Sequence, residues 1–164
     1  MMEHLSDAAR RINASLHGID TLFNRVITDT RQLMPGDLFV ALQGENFDGH
    51  EFVRRAGSLG AVGALVSRHV DCDLPQMVVP DTLQALQDYA ASWRADFHLP
   101  VVAVTGSNGK TTTKQLLAAI FEARGPVLAT AGNLNNHIGL PLTLLSLRKQ
   151  HCTAVIEMGA SHAG

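Results

Sequence analysis

The stretch Val101–Thr113, VVAVTGSNGKTTT, constrains this chain more than any other. An apolar, mostly β-branched run, Val101 to Val104, leads into Thr105-Gly106-Ser107-Asn108-Gly109-Lys110-Thr111-Thr112, and a helix-compatible stretch comes next. A buried strand that hands over to a helix through such a turn offers an anion bare N–H groups and the positive end of a helix dipole. The pattern predicts a phosphate-binding loop. Gly106 and Gly109 let the backbone turn tightly and approach phosphate oxygens. Lys110 brings an ammonium to the outer phosphates, and Thr111 offers a hydroxyl to Mg²⁺. The general motif wants a glycine five residues before the second one. Val104 stands there, so this is a shorter variant, Gly106-x-x-Gly109-Lys110-Thr111. The plain alternative is an ordinary glycine-rich turn.

The residues after the loop predict an α/β sheet. Leu116, Leu117, Ala119, Ile120 and Phe121 suggest a helix over 115–123 buried against strands, ended by Gly125-Pro126. Val127–Thr130 reads as a strand, Ala131–Asn136 as a polar loop, Ile138–Leu147 as a helix from about Gly139–Pro141, and Thr153–Met158 as a third strand. This alternation implies parallel strands with right-handed crossovers, and it puts the functional loops at one carboxyl edge. Glu157 closes the last apolar strand there. A carboxylate beside a phosphate loop can share Mg²⁺ with Thr111; the alternative is a plain strand-end acid. A carboxylate buried without a partner is costly, which favours the metal. Asn133, Asn135 and Asn136 carry amides suited to phosphate or a carbonyl, but asparagines are also common in loops. Asn133 and Asn136 join residues 106–112 as candidate nucleotide contacts.

The first half reads as a smaller α/β domain. Leu5, Ala8, Ala9, Ile12 and Leu16 have helical spacing behind Ser6 as a cap. Phe23–Thr30 reads as an irregular strand, Pro35-Gly36-Asp37 as a turn before strand Leu38–Leu42, and Gly44–Gly49 as a polar loop. Asp48 with Glu51 matches a capping box for a helix to about Ala56. Gly60–Val66 and Gln76–Val79 read as strands. Pro80-Asp81-Thr82 punctuates the chain, and Asp81 with Gln84 matches a capping box for a helix from Thr82 to about Phe97, with Tyr89 and Trp93 on its core face. This predicts domains 1–81 and 82–164. Thr28, Asp29, Thr30 and Arg31, with Gly44, Asn46, Asp48 and His50, sit at strand ends where such folds place ligands. Capping by Asp29 and Asp48, with Arg31 and His50 solvated, is the alternative.

Composition narrows the class. A net charge of −2 gives no footprint for nucleic acid. Two cysteines make no disulfide framework and fit a reducing compartment. Glu3, Asp7, Arg10 and Arg11 interrupt any signal peptide, and no apolar run reaches membrane-spanning length, so a soluble cytoplasmic protein is expected.

On these residues the chain resembles the Mur ligase family over nearly its whole length. Thr105–Thr112 is similar to the family's ATP loop, so the shortened motif counts in favour. Thr28-Asp29-Thr30-Arg31, the run Pro35–Leu42, Gly44 and Asp48-Gly49-His50 are similar to its amino-terminal domain, which in some relatives holds the UDP end of a muramoyl peptide. Ala131–Pro141 and Glu157-Met158-Gly159-Ala160 most resemble the member that joins D-alanyl-D-alanine to UDP-N-acetylmuramoyl-tripeptide. The member that adds the third residue usually has Ser-Ser-His after its strand glutamate, and Gly159-Ala160-Ser161-His162 departs from that.

The resemblance implies an ATP- and Mg²⁺-dependent amide ligase. The tripeptide carboxylate takes the γ-phosphate, and the dipeptide amine attacks the acyl phosphate. Lys110 and Glu157 are then the catalytic candidates, with Thr111 and Glu157 on the metal. His162 could touch substrate, although a surface position is the alternative. Family members are much longer, so the chain is expected to hold the ATP loop and a UDP-site half, with the central sheet incomplete, and not to complete the ligation alone. A full-length monomer is expected. Three rival functions stay open: a Mur-type ligase adding one amino acid, a phosphate-loop nucleotide switch or binding module, and a kinase.

Overall fold

The computed structural model describes residues 2–159. The chain divides into two compact units, Met1–Tyr89 and Ala90–Gly164.

The first unit contains α1 (Leu5–Arg11), β1 (Ser15–His17), β2 (Val26–Ile27), β3 (Leu38–Val40), β4 (Gln43–Gly44), β5 (Phe47–Asp48), α2 (Val53–Ser58), β6 (Gly63–Val66) and β7 (Gln76–Val78). It also takes in the start of α3 (Thr82–Ala95), within which the division falls. Its main sheet runs β1-β7-β6-β3-β2, parallel except for β1, which lies antiparallel to β7. Strand pleating sends alternate residues to opposite faces. Phe39, Ala64 and Val66 join Val53 and Ala56 of α2 in one apolar cluster. Gly63 lies against Leu5 of α1, where its missing side chain leaves room for the leucine.

Local chemistry corrects several expected boundaries. The first helix stops at Arg11 rather than reaching Leu16. Asn13 sits at φ 52, a left-handed conformation that asparagine tolerates, and the chain leaves as β1. Ser6 is no cap, because its N–H and hydroxyl both donate to the Asp20 carboxylate, at 3.0 and 2.7 Å. The strand expected over 23–30 shrinks to β2, since Asp29 caps a short 3₁₀ turn, Thr30–Gln32. The loop expected at 44–49 is a small hairpin, β4 against β5. At Asp81 the aspartate caps Leu83 and Gln84, but the Gln84 side chain turns to Asp88, so the box is one-sided.

The second unit contains the rest of α3, then β8 (Val101–Val104), α4 (Lys110–Glu122), β9 (Val127–Ala129), α5 (Gly139–Leu144) and β10 (Thr153–Glu157). Its strands run β8-β10-β9, all parallel, as the alternation implied. The central strand β10 is buried throughout. Helix α4 departs from expectation: Leu116 and Ile120 are 62% and 65% exposed. The stripe turned inward is Lys114, Leu117, Ala118 and Phe121, spaced i, i+3, i+4, i+7. Apolar residues on two faces of one helix leave periodicity unable to choose between them.

Candidate functional site

In the second unit, β8 delivers the chain into the loop as the motif requires. Gly106 and Gly109 adopt φ values of +142 and +77, which glycine reaches without the Cβ penalty. Gly109 is the N-cap of α4, and the helical ladder opens with Thr113 N–H donating to its carbonyl at 2.9 Å. The N–H groups of Lys110, Thr111 and Thr112 therefore have no partner within the helix. Lys110 folds back, its Nζ donating to the Gly106 carbonyl at 2.6 Å. A phosphate entering the loop would take over that ammonium.

Beside the loop lies a buried polar knot. Glu157, 3% exposed, ends β10. Its Oε2 accepts from the Thr111 hydroxyl at 3.0 Å and its Oε1 from the Asn135 amide at 2.8 Å. Its N–H donates to the Thr130 hydroxyl. Lys114 Nζ lies 3.6 Å from Oε2 and donates to the Thr130 carbonyl at 2.7 Å. The Asn135 amide, and after it Thr111 and the charges of Lys114 and Lys110, hold the Glu157 carboxyl below its ordinary value, against the opposing effect of burial. The carboxylate is thus partnered, so its burial alone no longer argues for a metal. The Thr111 and Glu157 oxygens still make a hard pair opening on the same space. Mg²⁺ typically takes one or two such protein ligands and fills its shell with phosphate and water. Among the described residues no group of three or more His, Cys, Asp or Glu could form an all-protein cage. The residues fit a metal that arrives with phosphates.

The cavity over this knot measures about 390 Å³ and is lined by Ser107 to Thr112, Gly132, Asn133, Asn135 and Glu157. It gathers most of the residues expected to touch nucleotide. Gly106 does not line it; its carbonyl accepts from Lys110. Asn136 does not line the cavity: its side-chain oxygen accepts from Ile138 and Gly139 N–H and caps the start of α5. Lys114 and Thr130 were not among the expected residues, and Asn135, whose amide was expected to suit phosphate or a carbonyl, donates to Glu157. Lys114 could have been found, since it lies one turn beyond Lys110 on the same face.

In the first unit, Thr28, Asp29, Thr30 and Arg31 line a groove of about 450 Å³ with Phe39, Phe47, Phe52 and Arg55. Asp29 accepts from the Arg31 guanidinium and backbone N–H, which, the guanidinium foremost, lower its carboxyl pKa. Phe47 and Phe52 stack 5.5 Å apart, with Phe47 half-exposed. The other four expected residues do not line this groove. Gly44 and Asn46 belong to the β4–β5 hairpin and its turn. His50 is a correction, neither solvated nor open to a ligand. Its side chain is 2% exposed, its Nδ1 meets Asp48 at 2.6 Å, and its Nε2 accepts the Ser67 N–H at 2.9 Å. Asp48 is occupied by His50 and Arg68. Together they pin the 3₁₀ turn Gly49–Phe52 to the end of β6. His162, the one residue of this stretch read as a possible substrate contact, and the motif residues Ala160 and Ser161 lie outside the described residues.

A strand, a two-glycine loop, a helix opening on Lys-Thr and a glutamate on the neighbouring parallel strand can be compared with known proteins. The profile of the Mur ligase middle domain matches residues 104–164, and that of the Mur ligase family catalytic domain matches residues 23–94. The chain belongs to the Mur ligase family.

It is 51% identical over 160 residues to the UDP-N-acetylmuramoyl-tripeptide–D-alanyl-D-alanine ligase of Escherichia coli K12, an alignment covering 98% of this chain and 35% of that protein. To the ligase of the same name from Bacillus subtilis it is 45% identical, covering 88% and 32%. Among solved structures, MurF from Acinetobacter baumannii superposes with a TM-score of 0.90 at 40% identity, over 99% of this chain and 37% of that one. MurF ligase from Thermotoga maritima in complex with ADP gives 0.75 at 37% identity, over 86% and 33%. The chain spans about a third of the length of the relatives it matches. Its mixed α/β architecture with parallel strands is that of these Mur ligases.

Proposed function

We propose that these residues form the amino-terminal part of a cytoplasmic ATP-dependent ligase. It would join D-alanyl-D-alanine to UDP-N-acetylmuramoyl-tripeptide in peptidoglycan precursor synthesis. The observation that carries the reading is one cavity onto which the phosphate loop, Thr111, Asn133 and Glu157 all open. The names of the relatives and the ADP complex support it, and among the described residues no helix is long and apolar enough to cross a membrane. The whole reaction is proposed for a protein that carries these residues together with the remaining length of its relatives, acting as a monomer.

The chemical demand explains the residues. A carboxylate becomes electrophilic only when one oxygen is made a leaving group. Its oxygen attacks the γ-phosphorus of ATP and ADP leaves. The dipeptide amine then attacks the acyl carbon, phosphate leaves, and the amine proton passes to solvent. The first step brings two anions together, so cations and N–H donors must neutralise them. Lys110 would swing from the Gly106 carbonyl to the outer phosphates, and the opening turn of α4 would hold their oxygens. Thr111 and Glu157 would hold Mg²⁺, which when bound screens the phosphate charge. Asn133 would contact the nucleotide at the rim.

The division of labour is part of the proposal: residues 1–81 for the UDP-muramoyl peptide and 82–164 for the nucleotide. In the first, Arg31 and Arg55 beside the stacked phenylalanines suit a planar base and a diphosphate.

Calorimetry of the chain with ATP, with and without Mg²⁺, tests the reading. Binding should require Mg²⁺, and Lys110→Ala should weaken it about tenfold or more, as expected for a lost charge-assisted contact. Binding that ignores both Mg²⁺ and Lys110 would overturn it.

A further inference from the structure

Lys114 is the one lysine among the described residues that is buried, with its side chain 6% exposed. It occupies the first position of the inward stripe of α4, where leucine or methionine would pack without an electrostatic cost. Its ammonium reaches the Thr130 carbonyl at 2.7 Å and lies 3.6 Å from Oε2 of Glu157, the same oxygen that accepts from Thr111. Lys110, one turn earlier, is exposed to the loop and occupied with Gly106. The two lysines thus serve different partners: one lines the loop cavity, the other sits beside the carboxylate.

Charge counting shows the consequence. Glu157 and Lys114 together carry no net charge. A bare divalent cation approaching Thr111 and Glu157 would meet a neutralised pair with an ammonium beside its intended ligand. Only a ligand bringing its own negative charge, a nucleotide polyphosphate, makes the position attractive. We propose that Lys114 is a positioning residue, acting through Glu157, that makes metal binding conditional on the nucleotide. It aims the carboxylate at the Thr111 side of the cavity and cancels its charge until phosphates supply more. The inference rests on the reading of Thr111 and Glu157 as metal ligands.

The test tracks Mn²⁺, as a stand-in for Mg²⁺, by electron paramagnetic resonance on the whole chain with and without ATP. In the wild type, Mn²⁺ should bind weakly alone and much more tightly with ATP. Lys114→Met should strengthen ATP-free Mn²⁺ binding by about tenfold or more and shrink the coupling between metal and nucleotide. Lys114→Gln keeps a donor for the Thr130 carbonyl while losing the charge. It should behave likewise, and it carries the test if the methionine variant does not fold. Adding Glu157→Gln to either variant should abolish the gain. If the lysine merely stabilised the fold, its loss would lower the unfolding midpoint without creating a metal site. Variants binding free Mn²⁺ no better than wild type, while wild-type ATP binding still needs the metal, would overturn the inference alone. Wild-type ATP binding that ignores the metal would instead overturn the reading beneath it.

Discussion

Asp48 shows how one side chain can fix a turn and set a pH limit. It caps the 3₁₀ turn through the His50 N–H, meets the buried His50 ring and pairs with Arg68. Arg68 foremost, then the His50 backbone N–H, hold its carboxyl far below the usual carboxylate range. A carboxyl depressed in the native state adds stability above its unfolded pKa, about 3.9, and that contribution fades as pH falls towards the native value. Asp48→Asn keeps a capping oxygen but loses the charge paired with Arg68, and should therefore cost up to about 1 kcal/mol at pH 7 and less at pH 3. Urea midpoints at the two pH values check this. An equal cost at both would mean that the carboxylate charge contributes nothing. The motif Asp48-Gly49-His50 stood out in the sequence because of its residue types, but the partners Ser67 and Arg68 are distant in sequence. Without them, capping, ligand binding and solvation read alike.

At the scale of elements, two glycines of the same segment have opposite reasons to be glycine. A Cβ on Gly49 would lie 2.7 Å from the Leu42 carbonyl oxygen and 2.8 Å from its nitrogen, both rigid backbone, whereas one on Gly44 would meet nothing within 4 Å. Gly49→Ala should thus destabilise the first unit by about 2 kcal/mol through overpacking, and Gly44→Ala should stay within about 0.5 kcal/mol. Chemical denaturation of the pair side by side decides it, and equal effects would refute the steric account. The same contrast explains what was legible. Strand β8, its loop and the helix start were readable because strand propensity, two glycines and Lys-Thr all demand one local geometry. The inward face of α4 was not, because Leu116 and Ile120 fit a helical stripe as well as Leu117 and Phe121 do. Asn136 went to a cap and Asn135 to Glu157, a choice made by where α5 begins and where β10 ends.

For the whole molecule, the α/β class and the parallel strands of the second unit could be read because alternating strands and helices leave few ways to bury both faces of a sheet. β1, pairing antiparallel at the sheet edge, could not, since three residues released by an asparagine turn carry almost no pattern of their own. The division into units gives the nucleotide reading an internal reporter. Trp93 is the only tryptophan in the chain and belongs to the second unit, where its Nε1 donates to the Leu147 carbonyl at 3.2 Å and its ring lies 5.6 Å from that of Phe97. Its fluorescence therefore reports unfolding of the unit that carries the phosphate loop. A ligand that binds only the native state adds about 2.7 kcal/mol at one hundred times its Kd. Saturating ATP with Mg²⁺ should raise the Trp93-detected unfolding free energy by about that amount. ATP with a chelator should add much less, and Lys110→Ala should lose most of the gain at the same ligand concentration. An equal gain in wild type and Lys110→Ala would place the nucleotide away from the loop between β8 and α4.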